Sequence, residues 1–179
     1  SFTVGINDDI NFSSVNIKRH IDTADKTTSE LLFFGLGGDG MVGACKNISK
    51  IVGDYTSLYA QSYAAYDSKK SGGSTRLHLR FSENPIRSTY LVNNPHTVVC
   101  SNEAYLKTFD MIDGLRDGGI FLLNTPCSAE NASKLLPNKY KRILAERHAK
   151  LYFIDGSEAA VEAGFRRGGK GVNTIIQSA

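Results

Sequence analysis

Leu31-Leu32-Phe33-Phe34-Gly35-Leu36-Gly37-Gly38-Asp39-Gly40-Met41-Val42-Gly43-Ala44 is the stretch that decides the fold. Four apolar residues in a row suit a strand covered on both faces. Glycines at 35, 37 and 40 follow at once, and residues 41–52 read as a helix. Asp39 is placed to cap that helix, because a carboxylate can accept from its free N–H groups, and Gly53-Asp54 ends it. Small residues between a strand and a helix let backbone N–H groups approach an anion, and the helix N-terminus adds partial positive charge. The turn therefore predicts a phosphate-bearing ligand. The competing reading is a tight strand-to-helix turn that binds nothing.

Outward from this unit, residues 57–63 give a second strand, with Tyr59, Tyr63 and Tyr66 as packing residues of that strand and its exit. Residues 74–81 alternate, with Thr75, Leu77, Leu79 and Phe81 on one face and Arg76, His78 and Arg80 on a polar one. Asn84-Pro85 turns the chain into residues 86–92, so these two segments are expected to form a hairpin. The β–α rhythm then resumes. A strand at 97–101 leads to a helix capped by Asn102 and running to about Leu115, where Asp117-Gly118-Gly119 stops it. Strands follow at 120–123 and 151–154, with helices broken near Pro137 between them. Two helical stretches, split by the glycine-rich segment 164–171, close the chain. The expected fold is α/β: three layers, a Rossmann-like largely parallel sheet with helices on both faces, and a β-hairpin insertion. Residues 1–29, with a turn at Asn7-Asp8-Asp9, read as an N-terminal arm or linker from a preceding domain. Residues 30–179 read as one domain, and both ends look excised from something longer.

Composition narrows the function. The chain has 179 residues, 41% hydrophobic and 22% charged, with a formal net charge of +3. These values fit a folded domain rather than a disordered one, and the charge is too small and scattered to argue for nucleic acid. No apolar run approaches the roughly 18 residues of a membrane span. Three cysteines and four well-separated histidines offer neither a disulfide framework nor metal-ligand spacing, so no metal site is expected and a reduced, cytoplasmic setting is. No acid–base or nucleophile pair is legible, so no catalytic residue is assigned. Cys45 reads as a core filler and Cys127 as a residue near the ligand rim. His78 reads as structural or ligand-contacting.

A second cluster, Tyr66-Asp67-Ser68-Lys69-Lys70-Ser71-Gly72-Gly73, joins two lysines, two hydroxyls and two glycines in one loop, a set suited to phosphate or diphosphate. If the sheet is parallel, this loop shares the carboxyl edge with the Gly35 turn, where open α/β sheets bind ligands. Asn124-Thr125-Pro126 would reach the same rim. A nicotinamide cofactor is disfavoured, because the acidic residue needed about 20 positions on is missing from residues 59–63, and Asp67 comes late. The segment Gly164-Phe165-Arg166-Arg167-Gly168-Gly169-Lys170-Gly171 falls short of a P-loop. Gly171 stands where the magnesium-binding hydroxyl should be, and a helix precedes the segment rather than a strand.

These blocks together resemble the pyruvate:ferredoxin (flavodoxin) oxidoreductase family. Gly35-Leu36-Gly37-Gly38-Asp39-Gly40-Met41-Val42-Gly43-Ala44 is similar to its GLG-x-DG-x-VGA segment, and Tyr59-Ala60-Gln61 with residues 66–73 to its YAQ…YDSKKSGG stretch. His78-Leu79-Arg80-Phe81, residues 85–91 and Phe121-Leu122-Leu123-Asn124-Thr125-Pro126 follow in order. The resemblance implies the third, gamma-type domain of a large enzyme that oxidatively decarboxylates pyruvate to acetyl-coenzyme A. Electrons would pass through iron–sulfur clusters to ferredoxin or flavodoxin, or through a fused flavin domain to NADP. Thiamine diphosphate and the clusters would sit in other domains of the same polypeptide, and the parent would be a homodimer, cytoplasmic or organellar. Coenzyme A is implied at this domain, with Gly37, Gly38, Asp39, Lys69, Lys70, Ser71 and Asn124 as its contacts. A scaffold domain with no ligand of its own, and an NAD(P)-binding domain, are the alternatives. Two departures stand out: Cys45-Lys46-Asn47 where the family has Asn-Lys-Asn, and the expanded segment after Gly164.

Overall fold

A computed structural model of the protein describes residues 2–5, 10–16, 23–66, 73–166 and 171–179. Two short strands, β1 (Thr3–Val4) and β2 (Ser14–Val15), pair in parallel as a separate ribbon. Next come β3 (Ser29–Leu36), helix α1 (Met41–Tyr55), β4 (Tyr59–Tyr66), β5 (Ser74–Ser82), β6 (Thr97–Cys100) and β7 (Ile120–Asn124). The chain continues through α2 (Ala132–Leu135), α3 (Asn138–Glu146), β8 (Lys150–Ile154), α4 (Gly156–Glu162) and α5 (Gly171–Ser178). The main sheet has six strands in the order β4-β5-β3-β6-β7-β8. The four strands from β3 to β8 along this order are parallel, whereas β5 is antiparallel to both β3 and β4.

The apolar run on β3 takes the central position it predicts. Leu32 and Phe34 point to one core with Val98, Phe121 and Leu123, under Tyr140 and Leu144 of α3. Phe33 points to the other core with Leu77, Leu79 and Val99, under Met41 and Cys45 of α1 and Ile176 of α5. Three layers result, an α/β fold as expected.

The hairpin is real but lies elsewhere. It joins β4 to β5, with Tyr66 opposite Thr75 and Tyr59 opposite Ser82. Because β3 and β4 occupy both edges of β5, residues 86–92 cannot form the expected hairpin with it, and they cross the face of the sheet instead. Val92 N–H donates to His78 Nδ1 (3.2 Å), Gln61 Nε2 donates to the Ser88 carbonyl (2.8 Å), and the Arg80 guanidinium lies 4.8 Å from the Tyr90 ring centre. The polar face of β5 is thus covered: His78 and Arg80 are buried, whereas Arg76 stays exposed. Buried Arg80 is matched by buried Glu30, Nε to Oε1 at 2.8 Å, and Arg116 Nη2 reaches the other oxygen at 2.9 Å. Tyr59, Tyr63 and Tyr66 do not pack as expected. They stand 50%, 59% and 65% exposed, since β4 is an edge strand.

The helix expected at 102–115 is only a 3₁₀ turn, Glu103–Lys107, capped by Asn102 through the Ala104 N–H (2.9 Å). Beyond it, tertiary bonds replace helical ones. Met111 N–H donates to the Tyr140 hydroxyl (3.3 Å), which donates to the Phe109 carbonyl, and Arg116 N–H donates to the Pro95 carbonyl (3.0 Å). Gly114 lies so close to the Asn93 carbonyl that a Cβ there would sit 2.0 Å from its oxygen. Burial of Met111, Ile112 and Leu115 supplied the helical spacing without a helix. The break near Pro137 and the two terminal helices form as read.

Burial, then the nearby Arg76 and Arg80 charges, push the His78 pKa down to about 4. The unfolded chain, with a histidine pKa near 6.5, binds this proton first. Stability contributed by neutral His78 is therefore complete above about pH 6.5 and lost as pH falls toward 4. Urea denaturation across that window should show stability falling with pH, and His78→Gln should flatten the slope. An unchanged slope in the variant would remove His78 as its source.

Candidate functional site

The Gly35 turn is built around one carboxylate. Asp39 Oδ2 accepts from the Leu36 N–H (2.7 Å) and the Ser101 hydroxyl (3.0 Å), while Oδ1 accepts from the Met41 N–H (2.8 Å). Asp39 therefore satisfies the first helical amide as expected, although Gly40, in the left-handed region at φ 87°, is the residue that flanks α1. The carboxylate faces inward, into the turn. A Cβ on Gly35 would meet Met41 Cβ at 2.8 Å and Asp39 Oδ2 at 3.0 Å, so this glycine permits the close packing.

The turn is coupled to its neighbours along the carboxyl edge of the sheet. Asn124 Nδ2 donates to the Ser101 carbonyl (2.9 Å), and its Oδ1 accepts from the Gly156 N–H at the start of α4 (2.9 Å). Gly37 N–H donates to the Gly73 carbonyl (3.1 Å). Gly35 and Tyr66 both register with Thr75, one from each side of β5. Two antiparallel pairings make β3 and β4 run the same way. The ends of the 66–73 loop consequently flank the glycine turn, at the edge that the parallel-sheet reading predicts. Lys69, Lys70 and Ser71 lie outside the described residues, as does part of the 164–171 segment.

A cleft of about 560 Å³ opens beside the turn, between the first turns of α1 and helix α5. Gly38, Asp39 and Gly40 of the turn, Gly43 and Asn47 of α1, and Asn173 and Gln177 of α5 line it. Gly38 and Gly43 have open space where a side chain would stand. The amides of Gly38, Gly40, Val42 and Gly43 have no hydrogen-bond partner among the described residues. Asn173 Nδ2 donates to the Asp39 carbonyl, and Asn47 Nδ2 donates to Gln177 Oε1 (3.3 Å). Sequence reading missed Asn173 and Gln177. The available signal was two carboxamides four residues apart on one helix, hence on one face.

Among the described residues the site holds donors and shape rather than an activated thiol. Burial, with a smaller push from Asp39, raises the Cys45 thiol to about 12, and burial raises Cys100 to about 12. Both are inert core residues at neutral pH. Cys127 is half-buried near the rim, where its N–H donates to Thr125 Oγ1 (3.1 Å) and the Thr125 hydroxyl donates to Glu103. Among the described residues, no cluster of three His, Cys, Asp or Glu could hold a metal ion, and no helix is long and apolar enough to cross a membrane.

This architecture is shared with known proteins. The signature of the pyruvate ferredoxin/flavodoxin oxidoreductase family matches residues 30–179, and the chain belongs to that family. It is 48% identical over 178 residues to a pyruvate:ferredoxin oxidoreductase of Moorella thermoacetica, an alignment covering 99% of this chain and 15% of the relative. The chain thus spans about 15% of the length of that relative. Among solved structures, a pyruvate oxidoreductase subunit from Thermotoga maritima has the same fold, with TM-score 0.64, 22% identity, and coverage of 85% of this chain and 74% of that one. A 2-oxoglutarate:ferredoxin oxidoreductase from Magnetococcus marinus, solved with 2-oxoglutarate, coenzyme A and succinyl-CoA, superimposes with TM-score 0.57 at 17% identity, over 85% of this chain and 23% of that one.

Asn124→Ala would leave the Gly156 N–H without its partner at a half-buried position. The expected loss is about 1–3 kcal/mol of stability, read from urea denaturation with an unchanged m-value. A change below about 0.5 kcal/mol would show that the joint between β7 and α4 does not depend on this amide.

Proposed function

We propose that this chain is the coenzyme A-handling domain of an enzyme that oxidatively decarboxylates pyruvate to acetyl-coenzyme A and passes the electrons to ferredoxin or flavodoxin. The observation that carries the reading is the single sheet edge at which the open glycine turn meets both ends of the lysine-bearing loop. Family membership supports the pyruvate chemistry, and the coenzyme A complex of the Magnetococcus relative supports the ligand. The free amides around Gly38 would meet phosphate oxygens, and Gly37 would fix the turn through Gly73. Lys69, Lys70 and Ser71 would supply charge and a hydroxyl. Asp39 and Asn124, whose polar atoms are already bonded within the chain, would act by holding the rim in shape. Remote phosphate binding would orient the thiol toward an intermediate formed in another domain, so the contribution is positioning rather than bond making. Thiamine diphosphate and iron–sulfur clusters belong, in this reading, to those other domains, and residues 1–29 to the joint with one of them.

A scaffold role without a ligand is the second reading, favoured by the row of exposed tyrosines on the free edge of β4. The two readings separate in the whole enzyme. Replacing both Lys69 and Lys70 with Ala should raise the KM for coenzyme A by about 10–100-fold, the loss of one or two charge-assisted bonds. Pyruvate decarboxylation without coenzyme A should be spared. An unchanged KM with reduced thermal stability would favour the scaffold.

A further inference from the structure

The sheet is bare over part of one face. β6, β7 and β8 run parallel, and parallel strands are ordinarily covered on both sides. On the α3 side they are, with Val98, Phe121 and Leu123 completely buried. On the other side α1 and α5 end their cover at Ile48 and Ile176, and a trough of about 580 Å³ opens beyond them. Its floor includes Val99 and Ile120, together with Leu122 and Tyr152, which face each other in the β7–β8 register. Tyr152 is 50% exposed. The lining has no charged residue, and Thr97, Gln177 and the Tyr152 hydroxyl are its only polar side-chain groups. Such a surface suits an apolar partner and not a phosphate or carboxylate.

We propose that this trough seats one helix of the parent polypeptide, supplied from outside these 179 residues and laid with its apolar face on β7 and β8. Two strands at about 4.8 Å spacing make a floor roughly 10 Å wide, which matches one helix diameter. The wall formed by α5 then becomes its neighbour in the helical layer. The relatives carry the chain needed: about a quarter of the Thermotoga subunit and most of the Moorella enzyme lie outside the region matched here. The subunit with the same fold is a separate chain, so its own residues are available for the matching face. This inference rests on the family and the fold, and is independent of the coenzyme A reading.

Photocrosslinking in the whole enzyme tests it. Tyr152→p-benzoylphenylalanine places the probe in the trough at a half-exposed position, and the same replacement of Tyr55, at the exposed end of α1, serves as the comparison. The expected product at 152 is an intrachain crosslink, mapped by mass spectrometry to an amphipathic segment outside residues 1–179 and absent from the Tyr55 variant. A crosslink joining two copies of the chain would overturn the proposal, as would a crosslink only within residues 1–179. Irradiation that leaves position 152 uncrosslinked would overturn it too. As a second measurement, Tyr152→Lys should lower the melting temperature of the whole enzyme, whereas Tyr55→Lys should not; equal melting temperatures would also count against the helix.

Discussion

The Asp39 carboxylate ties together groups that belong to three different elements: the last amide of β3, the first amide of α1 and the hydroxyl that follows β6. Backbone amides at a helix start and a strand end have no partners in their own elements. Satisfying them with one half-buried carboxylate lets the chain reverse within four residues and leaves the outer amides of the turn without a partner among the described residues. Ser101 passes the constraint to Asn124, and Asn124 passes it to α4. The carboxyl edge of the sheet is thereby a continuous hydrogen-bonded rim. The glycines supply the necessary closeness, and Asp39 fixes the geometry.

The antiparallel half of the sheet obeys a second constraint. Once β5 is paired on both edges, the residues after it must go over a face, and the arginine beneath them must be compensated. Glu30 does so from β3, and Gln61 and the Tyr90 ring complete the surroundings. A buried pair of this kind is weak evidence of net stability, since desolvation opposes the attraction. Its effect is directional: it fixes the crossing segment against β4, β5 and β3. The same pairing makes β4 run with β3, which brings the ends of a lysine-bearing loop to the glycine turn. The antiparallel insertion and the candidate site are two aspects of one topology.

The labour at the site is divided accordingly. The backbone of the turn gives it shape and N–H groups without a partner among the described residues, carboxamides on α1 and α5 line the adjoining cleft, and the sequence carries two lysines between β4 and β5. Among the described residues no thiol or acid–base pair is poised there, and burial suppresses the thiolates of Cys45 and Cys100. That balance is the one the proposed positioning role requires.

Residues close in sequence made much of this legible. The apolar run at 31–34 marked the central strand because a strand buried on both faces needs side chains without charge. The glycines and Asp39 marked the turn, Pro137 marked a helix break, and the order of motifs marked the family. The failures all concern choices made between distant segments. Residues 111, 112 and 115 have helical spacing, yet the Tyr140 hydroxyl takes the Met111 N–H and the Pro95 carbonyl takes the N–H of the adjoining Arg116. Residues 86–92 resemble a strand that would pair with β5, yet both edges of β5 were already taken by β3 and β4. The tyrosines of β4 look like core residues, yet the strand lies at the border of the sheet. Asn173 and Gln177 entered the cleft only because α5 packs beside α1. The sequence by itself determined the central strand, the glycine turn after it and the helix break at Pro137, since those preferences are local to a few residues. Only the tertiary structure decided which edges and faces were already occupied, because pairing and burial are competitions among segments that are far apart along the chain.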